Sequence, residues 1–251
     1  MGVTDPVRHE QLATSFGKEA SSYNRGRPDY PAEAVSALLR PDAMVVADIG
    51  AGTGKLTASL ISPGRTVYAV EPDSVMLDTL TAQLPTVTGL IGTAEQIPLS
   101  DVVADALTSG QAWHWVDPPA ACAEAARVLR PGGTLGLIWN IRDESVEWVG
   151  RLSEIMTPSA AEVFVAGDGP TLHGPFGPLE HTIIDWDRHL TADRLVDMAA
   201  SRSHVIAASE SERSRILDGV RHLADEVSDS SGTIVLPYRT HVFRADRKPG
   251  E

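Results

Sequence analysis

The sequence predicts an α/β protein built on a doubly wound, mostly parallel sheet with helices on both faces. Three observations predict it. Short apolar runs alternate with helical segments across residues 44–140. The runs are continuously apolar, as parallel strands buried on both faces must be. A glycine-rich turn, Gly50-Ala51-Gly52-Thr53-Gly54, closes the first run where a helix begins. Strand and helix in alternation, joined by right-handed crossovers, give such a sheet.

The elements follow in order. Residues 9–22 read as a helix, with Phe16 its one large aromatic. Tyr23 to Pro31 is a segment of punctuators and aromatics. Ala32–Leu39 is a helix, with Pro31 at its first turn and Pro41 past its end. Met44–Ile49 is the first strand and Lys55–Ile61 a helix. Thr66–Val70 is a strand, Ser74–Gln83 a helix, and Val87–Ile91 and Ala104–Ser109 two more strands. Pro119–Leu129 is a helix with Asp117 as its cap, closed by Arg130-Pro131-Gly132-Gly133. Thr134–Asn140 is the fifth strand. Beyond residue 141 the alternation fades. Glu147–Met156 reads as a helix, Pro158 to Pro178 as loop, and Leu179–Arg188 as a strand. Ala192–Arg202 and Ser209–Val227 read as helices, and Thr233–Leu236 and Thr240–Arg244 as paired late strands. The polar tail from Asp246 is expected to fray.

Composition narrows the function. The chain has 251 residues and a net charge of −13. Nucleic-acid enzymes usually show a basic face, and no basic cluster is visible, so a small or neutral partner is expected rather than DNA or RNA. Cys122 is the one cysteine, which excludes an intramolecular disulfide and a cysteine-based metal centre. The histidines His173, His181, His189, His204, His222 and His241 show no tight metal spacing, so no metal is expected. No apolar run approaches a membrane span and no secretory signal is visible. A cytoplasmic protein, monomeric or homodimeric, is the expectation.

The glycine turn carries the functional argument. Glycine alone lets backbone turn this sharply and approach a ligand this closely. The helix that follows offers unpaired N–H groups to something anionic. Glu71 ends the second strand, where an acidic residue bonds ribose hydroxyls in nucleotide-binding sheets. A tight strand–helix connection and a solvated loop carboxylate are the plainer readings of these two features. The spacing is G-x-G-x-G, and the position three after Gly52 is Lys55, which departs from the NAD pattern. Gly54-Lys55 is followed by Leu56, which departs from the P-loop.

Four segments in order resemble class I S-adenosylmethionine-dependent methyltransferases. Val45–Gly54 resembles their first motif, and Val67–Pro72 is similar to their second strand. Gly92–Leu99 resembles their adenine-contacting loop, and Ala126–Gly133 is similar to the turn before their fifth strand. Tyr23–Pro31 and Ala112-Trp113-His114-Trp115 resemble the branch containing trans-aconitate methyltransferase. Ubiquinone-biosynthesis-type enzymes are more distant matches.

The resemblance implies a Rossmann-like fold and S-adenosylmethionine as cofactor. It implies one methyltransferase domain over 1–251, with lid helices at 1–40, a cofactor-binding core at 41–140, and an acceptor-side insert with the final strands at 141–251. Gly50, Ala51 and Gly52 would line the methionine end, with Asp48 beneath. Glu71 would hold the ribose. Pro72 and Met76 would flank the adenine, and Thr93, Ala94 and Glu95 would face its edge. Thr93 stands where many relatives carry Asp. Gln111 would sit near the methionine moiety, and Tyr23 and Arg27 belong to the lid.

Trp113, Trp115, Trp139, Asn140 and Tyr30 are the candidates for binding a small-molecule acceptor. They include the ends of strands four and five, where open α/β sheets bind ligands. Trp148, Phe164, Phe176 and Trp186 are further candidates, each also readable as core. Methyl transfer is a displacement at an activated carbon, in which alignment supplies much of the catalysis. His114 is the candidate catalytic base, needed only for a protonated acceptor. Its plainer reading is a bracing hydrogen bond. Asp117-Pro118-Pro119 lacks the aromatic fourth residue of the amino-methylating motif, since Ala120 stands there. The expected activity is methyl transfer to an oxygen (carboxylate, phenol or alcohol). Carbon or nitrogen transfer on the same fold, a non-catalytic regulatory binder, and an NAD-dependent reductase are the alternatives.

Overall fold

Continuous apolar runs become buried parallel strands. The computed structural model describes residues 27–249. The helix expected at 9–22 and Tyr23 lie outside the described residues. Strands β1 (Val45–Ile49), β2 (Thr66–Glu71), β3 (Thr88–Ile91), β4 (Ala104–Gly110) and β5 (Leu129–Arg142) pair in parallel. With β6 (Glu180–Leu190) and β7 (Ile234–Asp246) they form a seven-stranded sheet in the order β3-β2-β1-β4-β5-β7-β6. At one end of β7, Gly132 and Gly133 exchange backbone hydrogen bonds with Arg247. At its other end the Asp143 N–H meets the Pro237 carbonyl. β7 is therefore antiparallel to β5, and the sheet is mixed. Strand order reverses between β2-β1 and β4, which makes the carboxyl ends of β1 and β4 the ligand-binding crevice of such a sheet.

The helices begin where the sequence supplies caps. Helix α1 (Ala32–Leu38) follows Pro31, and α2 (Lys55–Leu60) follows Gly54. Asp73 caps α3 (Ser74–Gln83) by accepting the Val75 and Met76 N–H groups. Asp117 caps α4 (Pro118–Val128) from the Ala120 N–H, as its position predicts. Helix α5 spans Glu147–Met156.

Four expectations need correction. The stretch 158–178 contains a helix, α6 (Ala160–Ala166). Ser159 and Glu162 form a reciprocal capping box at its start: Glu162 accepts the Ser159 N–H at 2.6 Å, and Ser159 accepts the Glu162 N–H at 3.3 Å. The two late strands are one strand, β7, continuous through Pro237. β5 starts at Leu129, so the Arg130–Gly133 turn is a bulge within it, marked by a register shift against β4 and by Gly132 at φ 77°. The helix expected at 192–202 stops earlier, as α7 (Ala192–Ala200), and a short turn, α8 (Ser203–Ile206), separates it from α9 (Glu210–Val227).

Within the described residues the chain divides into two compact units. One comprises 27–28, 140–163 and 185–239, the other 29–139, 164–184 and 240–249. The first packs α5, α7 and α9 through Leu152, Met156, Leu195, Val220 and Leu223. The second packs helices on the sheet through Leu38, Val46, Leu60, Leu80 and Ile138. Each such side chain stabilises by about 1.5–3 kcal/mol when fully buried. Gly136 on β5 lies against the Leu38 carbonyl so closely that no Cβ would fit between them.

Candidate active site

The glycine turn at the end of β1 is built by backbone that only glycine adopts without strain. Gly50, Gly52 and Gly54 take φ of 68°, 56° and 90°. The Gly50 and Ala51 N–H groups both donate to the Val70 carbonyl at the end of β2. The glycines differ in their surroundings. A Cβ on Gly50 would stand 2.7 Å from that of Ala112, while a Cβ on Gly52 would meet nothing within 4 Å. Gly50 therefore lets the loop after β4 approach. Gly52 presents its backbone to open space.

Two buried carboxylates support this turn. Glu71 accepts the Gly52 N–H at 2.8 Å through Oε2 and the Asp73 N–H at 3.0 Å through Oε1. Burial raises its pKa against those two bonds. Asp48 lies in register with Thr108 on β4. It accepts the Thr57 hydroxyl at 2.6 Å and the Thr108 hydroxyl at 3.1 Å. Burial pushes its carboxyl up to about 7, although both hydroxyls oppose the shift.

The loop after β3 forms a second wall. Thr93 and Gln96 pair across a tight turn, Ala94 is buried, and Met76 is buried while Pro72 is exposed. The Glu95 carboxylate accepts the Asp117 N–H at 2.9 Å, which links this loop to the start of α4. Arg127 braces the loop from α4. It donates to the Ile97 and Leu99 carbonyls at 2.8 Å and pairs with Glu124 and Asp101. Glu124 in turn accepts the Ile97 N–H.

The third wall follows β4. Gln111 adopts a left-handed φ of 58°, and its N–H donates to the Ile138 carbonyl on β5. Trp113, His114 and Trp115 form a 3-10 turn. The Trp139 indole N–H meets His114 Nδ1 at 3.4 Å. Phe164 stacks at a tilt on Trp139 and His114, and Phe243 meets Trp139 edge-on at 5.7 Å. His181 stacks on Phe243 at 4.1 Å. A Cβ on Gly110 would stand 2.7 Å from the Tyr30 hydroxyl, so Tyr30 lies against the end of β4. An ion pair between Lys55 and Asp29 at 2.8 Å ties the same segment to the first turn of α2. Arg27 and Asn140 fall in the other compact unit, where Asn140 is buried.

The second unit thus gathers Asp48, Gly50, Ala51, Gly52, Glu71, Pro72, Met76, Thr93, Ala94, Glu95 and Gln111, with Tyr30, Trp113, His114, Trp115 and Trp139, around the carboxyl ends of its parallel strands. Sequence reading missed Phe243, His181, the Arg127 brace and the Asp29–Lys55 pair. All join residues far apart in the chain, and only the capping and charge patterns hinted at any of them. Among the described residues no group of side chains is arranged to hold a metal ion, and no helix is long and apolar enough to cross a membrane.

Residues 47–137 match a family model described as a methyltransferase domain. The chain is 46% identical over 237 residues to an uncharacterised methyltransferase of Mycobacterium tuberculosis, covering 93% of this chain and 96% of the relative. It is 31% identical over 249 residues to an uncharacterised methyltransferase-like protein of Schizosaccharomyces pombe, covering 94% and 97%. In fold it is similar to a chain described as a type II methyltransferase from Anaeromyxobacter dehalogenans, with a TM-score of 0.67, 24% identity, and coverage of 89% and 99%. Likeness of this extent along nearly the whole of both chains, on a sheet with this turn, places the chain in the class I S-adenosylmethionine-dependent methyltransferase family.

Proposed function

We propose that this enzyme transfers the methyl group of S-adenosylmethionine to an oxygen of a small-molecule acceptor. The observation that carries the oxygen assignment is the His114–Trp139 pair. A ring nitrogen that accepts the indole N–H leaves the proton of the neutral imidazole on Nε2. In this tautomer His114 donates a hydrogen bond that orients a carboxylate oxygen, which needs no base; with the ring proton on Nδ1 instead, His114 takes the proton of an alcohol or phenol acceptor. The finer placement, in the trans-aconitate methyltransferase-like branch, rests on Tyr23–Pro31 and Ala112–Trp115.

The residues fit the cofactor. Gly52 leaves the space that a side chain would fill. The Thr53 hydroxyl and the Trp113 indole N–H are buried without a hydrogen-bond partner, a state that a polar ligand relieves. A carboxylate has about four lone-pair positions, and Glu71 spends two on backbone, which leaves two for ribose hydroxyls. Gly50, Ala51 and Gly52 receive the methionine end, with Gln111 beside it and Asp48 beneath. Pro72, Met76 and the Thr93–Glu95 loop flank the adenine. The bound cofactor supplies a methyl carbon already activated by its sulfonium. Trp113, Trp115, Trp139 and Tyr30 exclude water and hold the acceptor in line, which is where most of the rate is expected to arise.

The test is single-turnover transfer from methyl-labelled S-adenosylmethionine to a panel of carboxylates, phenols, alcohols and amines. Label recovered as methyl ester or methyl ether supports the reading. Label recovered only on carbon or nitrogen refutes the oxygen assignment.

A further inference from the structure

A second polar cluster lies wholly within the unit formed by 27–28, 140–163 and 185–239. Arg142 ends β5 and is 4% exposed, and Arg202 lies between α7 and α8 and is 7% exposed. Both pair with one carboxylate. Glu162 Oε1 stands 2.9 Å from Arg142 Nη2, and Glu162 Oε2 meets Arg202 Nη2. Arg142 also donates to the Ser153 hydroxyl at 2.9 Å. Glu162 is already committed to its capping box, where it accepts both the N–H and the hydroxyl of Ser159.

Among the described residues the charges do not balance. Two buried guanidiniums share one carboxylate, and among the described residues neither arginine pairs with another acid. Burial alone would raise the Glu162 carboxyl, but the two arginines hold it down at about 2. The Nε atoms of Arg142 and Arg202 are both buried without a hydrogen-bond partner. A cluster kept for stability alone would pair its charges, because an uncompensated buried charge is strongly unfavourable. Water could satisfy the nitrogens but not the charge. An oxyanion satisfies both, and the planar guanidinium fork matches its geometry.

We propose that Arg142 and Arg202 form a binding site for an oxyanion, the carboxylate or phosphate group of a small molecule. The anion site stands on the cluster itself. Glu162 holds the two forks apart and sets the affinity by competing with the ligand for them.

The experiment is calorimetric titration of the full chain with glutarate and with inorganic phosphate, at ionic strength matched by sodium chloride. Saturable binding of one or both is expected, and the preferred anion identifies the group. R142Q and R202Q are expected to weaken it about tenfold each, the loss of one charge-assisted fork. E162Q is expected to strengthen it several-fold, and R215Q, on an exposed face of α9, to leave it unchanged. Should the arginine variants fail to fold, the wild-type arginine Nε–H resonances decide: two buried ones shift in step with the titration. Absence of saturable binding beyond chloride overturns the proposal, as does binding that R142Q and R202Q leave intact or that E162Q does not strengthen. S-adenosylmethionine binding is measured on the same samples. Its loss alone counts against the methyl-transfer reading, whereas loss of anion binding with cofactor binding intact counts against this one.

Discussion

The Glu71 carboxylate accepts the Gly52 N–H at 2.8 Å, so the end of β2 holds the open position of the glycine turn in place. Glu71→Ala strands that N–H and the Asp73 N–H. It is expected to cost about 1–3 kcal/mol, the desolvation penalty of an unsatisfied buried donor, and to weaken S-adenosylmethionine binding at least tenfold. Thermal denaturation and calorimetry on the variant check the two effects separately. Wild-type cofactor affinity would remove Glu71 from the ribose role.

Gly52 and Gly136 are predicted to fail in opposite ways. Gly52→Arg meets open space but a left-handed backbone. It should fold with a penalty of about 1–2 kcal/mol and lose cofactor binding, because the side chain fills the ligand's space. Gly136→Ala presses on the Leu38 carbonyl and should lose about 1–3 kcal/mol by overpacking. Its remaining folded fraction should still bind the cofactor. Melting curves with and without S-adenosylhomocysteine distinguish the two. A ligand-induced rise in melting temperature for Gly52→Arg would contradict the placement.

Asp48 predicts a pH dependence with a definite sign. Burial, opposed by the Thr57 and Thr108 hydroxyls, holds its folded pKa at about 7, above the 3.8 of an exposed carboxyl. The folded state therefore binds this proton more tightly than the unfolded state. The stability it contributes is full below about pH 4 and is lost as pH rises through 7. The slope from this group is at most ~1.4 kcal/mol per pH unit. Asp48→Asn should flatten denaturant-derived stability between pH 5 and 7 relative to wild type. An unchanged slope would mean that Asp48 stays ionised across that range.

His114 is predicted to act through orientation. His114→Ala should leave S-adenosylmethionine affinity nearly intact and lower kcat/KM by about 10–100-fold, the scale of a lost oriented hydrogen bond. His114→Gln, which keeps an N–H donor, should recover part of the rate. A rate for the Gln variant no better than that of Ala, with a log-linear rise below pH 7 in wild type, would restore the role of base.

Arg127 should link stability to cofactor affinity. It joins α4 to the Ile97 and Leu99 carbonyls, so Arg127→Ala frees the loop that carries Thr93, Ala94 and Glu95. A fall in melting temperature together with several-fold weaker cofactor binding is expected. Calorimetry showing weaker binding at unchanged stability would place Arg127 in the site itself.

The parallel core was legible because its physics is local. β1, β2 and β4 are largely buried on both faces, so their sequences are mainly apolar. Gly50 to Gly54 and the Asp73 and Asp117 caps are read from neighbouring residues alone. The later half was less legible for the same reason. Gly and Pro around 158–178 outweighed the Ser159–Glu162 capping box that starts α6. Pro237 broke the pattern of β7, although only its carbonyl is needed, as the acceptor for Asp143. The aromatic wall joins Trp139 to Phe164 and Phe243, and the charge cluster joins Arg142 to Arg202. No local periodicity records such pairings.

Calorimetric titration of the purified protein with S-adenosylmethionine, S-adenosylhomocysteine and NADH bears most directly on the nucleotide site proposed at Gly50–Gly52 and Glu71. Binding of both sulfur nucleotides, their loss in Gly52→Arg, and no binding of NADH are the predicted results. Binding of NADH with neither sulfur nucleotide would contradict the cofactor assignment and the mechanism built on it.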